Sequence, residues 1–550
     1  MPAFRVIAAL AIVTLAPPTA RGEALRRADL GRLHVTIVDA SAGSAPTPAR
    51  IEVVSADGTS RLPAGAARFP SDCDEPSMRP WRTTARSLPE KWIAALDDPA
   101  SGTSQFYADG SFELALPPGE QHLTVRKGNE YRVHRETVRV VAGFTTEVRV
   151  GLERWTNMAG EGWYSADDHL HVPRPDDAAA ARIARWMKAE DLHVANLLQM
   201  GTFRGVRASR QSAFGVAGAY QDGDTIVASG QENPRAWVLG HGIILGADDY
   251  IDFPESYLVF GPFWRAARDR GALRGYAHFG GESFLRDALL GSIDFLEILQ
   301  LDGLLSSDVY RAWNLGLQIT PTAGTDFPCG LSSPPGRERF YARVEGALDY
   351  ASWLDGVARG HTFVSNGPVL SFRVGDADMG DTLDVSAGTE VLVAASVRFD
   401  PAEDEIESIE VVRDGAVIAH AEPDPLDAEI RLTFSLVVDT SGWIAVRATG
   451  TKLGALPNGL GGRRAAAAHG APVYLRVAGA DPPSLPETRA EVLTLLRESR
   501  VRIQSLVISP GNERALQADE ATLDRDRAAI VREFRDAEKL LFRNAEAASR

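Results

Sequence analysis

The sequence predicts a multidomain chain of mixed α/β and β type: a seven-stranded α/β barrel flanked by two β-sandwich domains and followed by a C-terminal helical hairpin. Three observations carry this reading. Short alternating strands with Gly and Pro turns fill residues 30–154 and again 367–478, whereas residues 155–366 alternate strands with helical stretches. Residues 484–550 show only helical periodicity. A chain of 550 residues is too long for one core, and roughly 150 residues per domain asks for three or four domains.

Residues 1–24 precede all of this. Arg5, an apolar run from Val6 to Ala16, and small residues at Ala20, Gly22 and Ala24 form the pattern of a cleaved export signal. The run is shorter than the about 20 residues that span a bilayer. No later segment is apolar enough for a membrane helix, so the mature protein is predicted to be periplasmic or secreted, with no membrane span after cleavage. Cys73 and Cys329, the chain's two cysteines, would then meet an oxidising environment, where either a disulfide between them or two free thiols fits the sequence.

The first sandwich reads as "RLHVTIVDA", "ARIEVVSADG", "GSFELALPPGEQHLTVRKG", "RVHRETVRVVAG" and "TTEVRVGLERW", antiparallel by pattern and interrupted by a polar insertion at about 64–102. The barrel strands are "WYSADDHLHV", "LHVANLLQM", "DTIVASGQE", "GHGIILGA", "RGYAHFG", "SIDFLEILQ" and "LQITPTAGTDF". Helical stretches such as "PDDAAAARIARWMKAE" and "ESYLVFGPFWRAARDRG" separate several of them, which implies a parallel sheet. The second sandwich returns to alternation, from "PVLSFRVGDADMGDTL" to "APVYLRVAG". In the hairpin, Val492, Leu495, Leu496, Ile503 and Leu506 face Leu523, Ile530, Phe534 and Leu541 at helical spacing.

The chemistry concentrates at the C-terminal ends of the barrel strands, where such folds place their sites. In an extended strand Asp167, His169 and His171 share one face, while Asp168 and Leu170 take the other. Later strand ends supply Glu232, His241, His278 and Asp326. A single histidine at a strand end is most often a hydrogen-bonded structural residue, as His193 is read here. A run of imidazoles and carboxylates on successive strand ends is a ligand set for divalent ions, zinc or manganese. Asp167 is predicted to accept a hydrogen bond that fixes an imidazole tautomer. Glu282 and Glu297 are placed to contact substrate or support the ligands, outside the direct ligand set. The formal charge of -16, with no cluster of Lys and Arg, argues against nucleic acid as a partner.

These motifs in this order resemble the polymerase and histidinol phosphatase (PHP) superfamily, and within it the CehA/McbA metallohydrolases related to carbaryl hydrolase. The resemblance spans about 155–475 and rests on "ADDHLHV", "SGQE", "LGHGIILG", "YAHFGGE", "TAGTDFP" and the passage "GHTFVSNGPVLSFRVGDADMGDTL" into the trailing sandwich. More weakly, residues 30–154 look like a carboxypeptidase-regulatory or transthyretin-like domain. The chain departs from the family at Gln199 and Met200, where a Thr-Asp-His motif is common, and at Pro328, where a histidine is common. Those departures disfavour a trinuclear centre and leave one or two ions. The resemblance implies a distorted PHP-type (β/α)7 barrel in which His169, His171, Glu232 and Asp326 hold one metal. Glu232 would bridge to a second metal held by His241 and His278, with Glu232 and Asp326 also taking catalytic roles.

The implied activity is that of an exported metal-dependent hydrolase that uses hydroxide formed at the metal on an ester, carbamate or phosphoester, carried by a small molecule or a polymer. No Gly-x-Ser-x-Gly elbow offers a serine nucleophile instead. The competing reading is a non-catalytic exported binding or scaffold protein whose reduced barrel keeps a structural metal.

Overall fold

The computed structural model describes residues 30–69, 94–98, 102–201, 209–236, 239–253, 256, 258–300, 303–329, 334–424, 427–450, 465–505 and 520–548. The export signal at 1–24, Cys73 and most of the 64–102 insertion lie outside them. Among the described residues, no helix is long and apolar enough to cross a membrane.

The N-terminal strands form two facing sheets. One holds Gly31–Asp39, Ser111–Leu116 and Thr145–Leu152; the other holds Pro48–Ser55, Thr103–Asp109, Gly119–Arg126 and His134–Val140. Alternate residues such as Leu33, Val35, Ile51, Val53, Leu123 and Val125 are buried between the sheets, which is what the period-two pattern demands. The expectation of a purely antiparallel sandwich is corrected, because Gly31–Asp39 and Thr145–Leu152 pair in parallel. They are the first and last strands of the unit, so no short hairpin dictates their relative direction.

The central region carries strands β1 (Trp163–Leu170), β2 (Val194–Met200), β3 (Thr225–Ala236), β4 (Gly240–Leu245), β5 (Leu273–Tyr276), β6 (Phe295–Gln300) and β7 (Thr320–Ala323). Each pairs with the next, and a parallel bridge between Leu170 and Phe327 returns the run to its start. The sheet is not wholly parallel as expected: β4 is antiparallel to both β3 and β5. Only a few residues separate β3 from β4, too few for the crossover that parallel pairing needs. Helices α1 (Asp177–Ala189), α2 (Gly261–Asp269), α3 (Phe284–Leu289), α4 (Ser307–Asn314) and α5 (Tyr350–Ala358) cover the sheet. Asp176 caps α1 by accepting from the Ala179 amide at 2.7 Å. Helix α2 begins at Gly261, later than its sequence pattern, with Pro262 in the first turn, where its missing N–H costs no intrahelical bond.

Strands β8 (Arg339–Arg343) and β9 (Thr362–Ser365) extend this sheet, and β9 pairs with Ala467–Gly470 of the trailing sandwich. A continuous ladder therefore joins the two regions. Helices α6 (Pro486–Gln504) and α7 (Glu520–Ala548) bury Val492, Leu496 and Ile503 together with Ile530, Phe534 and Leu541. Leu506 lies outside the described residues. The hairpin docks on the body through Arg286 to Glu533 at 3.4 Å, and through Ser499 and Arg502 to Glu282.

Candidate metal centre

All six residues singled out as ligands converge at one end of the strand circuit. The Nε2 atoms of His169 and His171 lie 3.2 Å apart, and Asp326 Oδ1 is 3.3 Å and 3.1 Å from them. Glu232 Oε2 sits 3.4 Å from His171 Nε2. On the other side of the same carboxylate, Glu232 Oε1 is 2.6 Å from His241 Nδ1 and 3.8 Å from His278 Nε2. Asp326 Oδ2 is also 3.8 Å from His278 Nε2. Both carboxylates thus face both groups of imidazoles, where the family resemblance gave bridging to Glu232 alone.

The local structure explains how these side chains meet. A β-bulge between Asp167 and Leu170 sets an extra residue of β1 against β2, which breaks strict alternation just where the histidines begin. His278 and Asp326 occupy the left-handed region, at φ +52° and +54°, a conformation that costs a non-glycine residue energy and turns each side chain inward at its strand end. Gly324 makes room: a methyl group there would lie 2.5 Å from His169 Cβ.

Three imidazoles are held by their outer nitrogen. His169 Nδ1 meets Glu297 Oε1 at 2.9 Å, His171 Nδ1 meets the Leu198 carbonyl at 3.2 Å, and His278 Nδ1 meets Gln300 Oε1 at 2.6 Å. Each acceptor draws the ring proton to Nδ1 and leaves the Nε2 lone pair aimed at the cluster centre. The prediction for Asp167 is therefore corrected. Its carboxylate accepts from the His169 and Thr325 amides, the Thr325 hydroxyl and the Gly336 amide, and so ties β1 to the turn that carries Asp326. Glu297 does the job expected of Asp167. Glu282 docks the C-terminal hairpin and is no part of the site. His193 bonds Ser165 Oγ at 2.8 Å, away from the cluster. Cys329 is disulfide-bonded, so its thiol is not offered to a metal.

The arrangement concentrates imidazoles and carboxylates in a buried space. Burial, partly offset by Asp326 and Glu232, brings His169 down to about 4, so it is neutral. Burial also works against charge on His171 and His278, but hydrogen bonds and charges from Glu232 and Asp326 overcome it and bring both to about 9. Burial opposes the Glu232 carboxylate as well, yet Arg235, His241 and His171 hold it well below its ordinary range. Burial raises Glu297 to about 8, and burial followed by the charge of Glu297 holds its neighbour Asp168 well above the usual carboxylate range. His241 Nδ1 and Glu232 Oε1 approach closely without hydrogen-bonding geometry, both buried and otherwise unpartnered.

Among the described residues, two groups of side chains could hold an ion: His169, His171 and Asp326, and His169, Glu232 and His278. The first has the dimensions of one face of a tetrahedron, since ligands about 2.0–2.1 Å from zinc stand about 3.3 Å apart. The residues therefore fit a divalent metal. Gln199 and Met200 add no ligand atom: Gln199 Oε1 accepts from the Gln211 amide, and the Met200 thioether receives Arg235. Arg235 and Gln300 are residues of the site that do not belong to the ligand pattern in the sequence. No protein-family model, curated protein or solved structure matches this chain.

Proposed function

We propose that the chain is an exported metal-dependent hydrolase with a PHP-type barrel, similar to the CehA/McbA group, acting on an ester, carbamate or phosphoester. The observation that carries this reading is the triangle of His169 Nε2, His171 Nε2 and Asp326 Oδ1, with edges of 3.1–3.3 Å, beside a second set of donors around Glu232. The closed circuit of seven strands supports the barrel assignment, with β4 as its distortion. The disulfide at Cys329 supports an oxidising destination.

A divalent ion held by His169, His171 and Asp326, or by His169, Glu232 and His278, would supply a water acidified towards neutrality and would polarise the carbonyl or phosphoryl oxygen of the substrate. The chain does the rest. Glu297 keeps the His169 proton on Nδ1, so that Nε2 stays a donor. Glu232 and Asp326 set the spacing of the two groups and contribute negative charge. Asp326, whose side chain is 12% exposed against 1% for Glu232, is the carboxylate placed to accept a proton at Oδ2. The buried walls around His169 and His171 exclude bulk water and strengthen each of these interactions.

Turnover of a panel of nitrophenyl esters, carbamates and phosphoesters tests the reading. Activity should vanish with a chelator, return with zinc or manganese, and fall by more than about 100-fold in Glu232→Gln, beyond what loss of an outer-shell partner costs. Turnover indifferent to both treatments would sink it.

A further inference from the structure

The turn that carries Asp326 is clamped from two domains. Asp326 sits at φ +54°, a backbone state that a non-glycine residue keeps only where its surroundings over-determine it. From within the barrel, Asp167 holds the preceding residue, accepting from the Thr325 amide at 3.1 Å and the Thr325 hydroxyl at 2.6 Å. The following residue is the buried Phe327, whose carbonyl accepts from the His171 amide at 2.7 Å. One backbone unit therefore sits between two of the candidate ligands.

The N-terminal sandwich reaches that unit from outside. Phe69 is buried with its ring centroid 4.8 Å from that of Phe327 and 5.0 Å from that of Trp186 on α1, and Trp186 closes the triangle against Phe327 at 5.4 Å. Phe69 belongs to a buried cluster with Leu170, Val172, Trp186 and Phe327 of the barrel, separate from the core that the sandwich builds between its own sheets. Its amide donates to the Ala95 carbonyl at 2.7 Å, and Arg50 of the sandwich pairs with Glu190 at the end of α1 at 2.7 Å, so the ring is delivered from a fixed base. Two residues beyond Phe327, Cys329 is disulfide-bonded, and the chain's other cysteine, Cys73, lies four residues beyond Phe69. Ring packing and a covalent bond thus fasten the turn to the same short stretch of sequence.

We propose that Phe69 is a positioning residue for the metal centre: through it and the disulfide at Cys329, the N-terminal sandwich holds Asp326 and His171 at ligand spacing. This rests on the metal-dependent hydrolase reading above and adds a second domain to it. Without the Phe69 ring, Phe327 can shift into the vacated space and the Asp326 backbone can relax out of the left-handed region. Asp326 Oδ1 then leaves the triangle, and a bound ion loses a ligand while each domain keeps its own core.

Zinc affinity, by competition with a fluorescent chelator, and the visible absorption of the cobalt-loaded protein, which reports coordination geometry, test this without turnover. Wild type, Phe69→Ala and Phe69→Leu are compared with the disulfide intact and after its reduction by a phosphine. Phe112→Leu, in the sandwich's own core, is the control: it should lower the melting temperature and leave affinity and spectrum as in wild type. Phe69→Ala should bind zinc at least about 10-fold more weakly than wild type in one or both redox states, the usual cost of losing a group that orients a ligand, and Phe69→Leu should recover part of the loss. Should Phe69→Ala fail to fold, Phe69→Leu is read in its place: weaker binding than wild type supports the assignment, and equal binding overturns it. Affinity and spectrum that match wild type in both redox states, or an equal loss in Phe112→Leu, overturn the positioning role while leaving the hydrolase reading intact. A wild type that takes up no zinc defeats both.

Discussion

His171 and His469 are both fully buried, yet their surroundings drive them in opposite directions. Carboxylates of Asp326 and Glu232 lie within 3.4 Å of His171 and bring it up to about 9 against the effect of burial. His469 sits where the trailing sandwich meets α4, among Tyr310, Trp313 and Trp443, and burial brings it down to about 4. Its two nitrogens are spent as a neutral ring spends them: Nδ1 donates to the Gly470 carbonyl at 2.8 Å, and Nε2 accepts from the Tyr310 hydroxyl at 2.7 Å. Burial alone does not mark a functional histidine. What marks one is a second ring nitrogen aimed at carboxylates and at another imidazole, a set of groups that a metal ion can join.

The largest effect should come from removing that convergence. In a His169→Ala, His171→Ala double variant, bound zinc or manganese should drop sharply from near two equivalents. Wild-type protein should gain about 4 kcal/mol of stability at a free metal concentration about 1,000 times the dissociation constant, and the double variant none. Thermal unfolding with and without metal checks this. An equal gain in both proteins would move the metal elsewhere and leave the cluster as a polar core.

The ligands are legible because each stands in or beside an apolar run, where a polar residue is conspicuous. The seven strands were legible for the same reason. The direction of β4 was not, since periodicity gives a strand's existence and not its sense. Asp167 was misassigned because period-two reasoning assumes a regular strand, and the bulge after it hands the tautomer-fixing role to Glu297, itself visible only as a lone carboxylate in "FLEILQ". The left-handed turns at His278 and Asp326 leave no trace in composition, because neither is a glycine. Arg235 is not a metal-ligand type, so a pattern of imidazoles and carboxylates does not contain it. A cation three residues beyond a strand-end carboxylate was the available signal.

Because His469 titrates near 4 when folded and near its ordinary value of about 6.5 when unfolded, the unfolded chain takes up the extra proton in between. Its contribution is complete above about pH 6.5 and is lost as the pH falls towards 4, by on the order of 3 kcal/mol. His469→Gln, which keeps a neutral side chain that can donate and accept, should be less stable than wild type at pH 7.5 and lose less between pH 7 and pH 4.5. Denaturant unfolding at the two pH values reads the difference. Equal losses would mean that His469 is not held neutral at this interface.

The smallest effect concerns how a histidine becomes a ligand. Glu297→Gln keeps the shape of the side chain that meets His169 Nδ1, but a turned amide can offer N–H where an acceptor is needed. The His169 proton is then free to move to Nε2, which cannot donate to a metal while protonated. Metal affinity should fall by about 10- to 100-fold, the usual cost of losing such a partner. The fold should survive, because Glu297 is itself a buried carboxyl raised to about 8, whose charged form burial disfavours. Competition with a fluorescent chelator, together with a melting curve, separates the two consequences. Unchanged affinity would show that the Leu198 and Gln300 contacts to His171 and His278 orient the centre without Glu297, and would return His169 to the class of histidine that His469 represents.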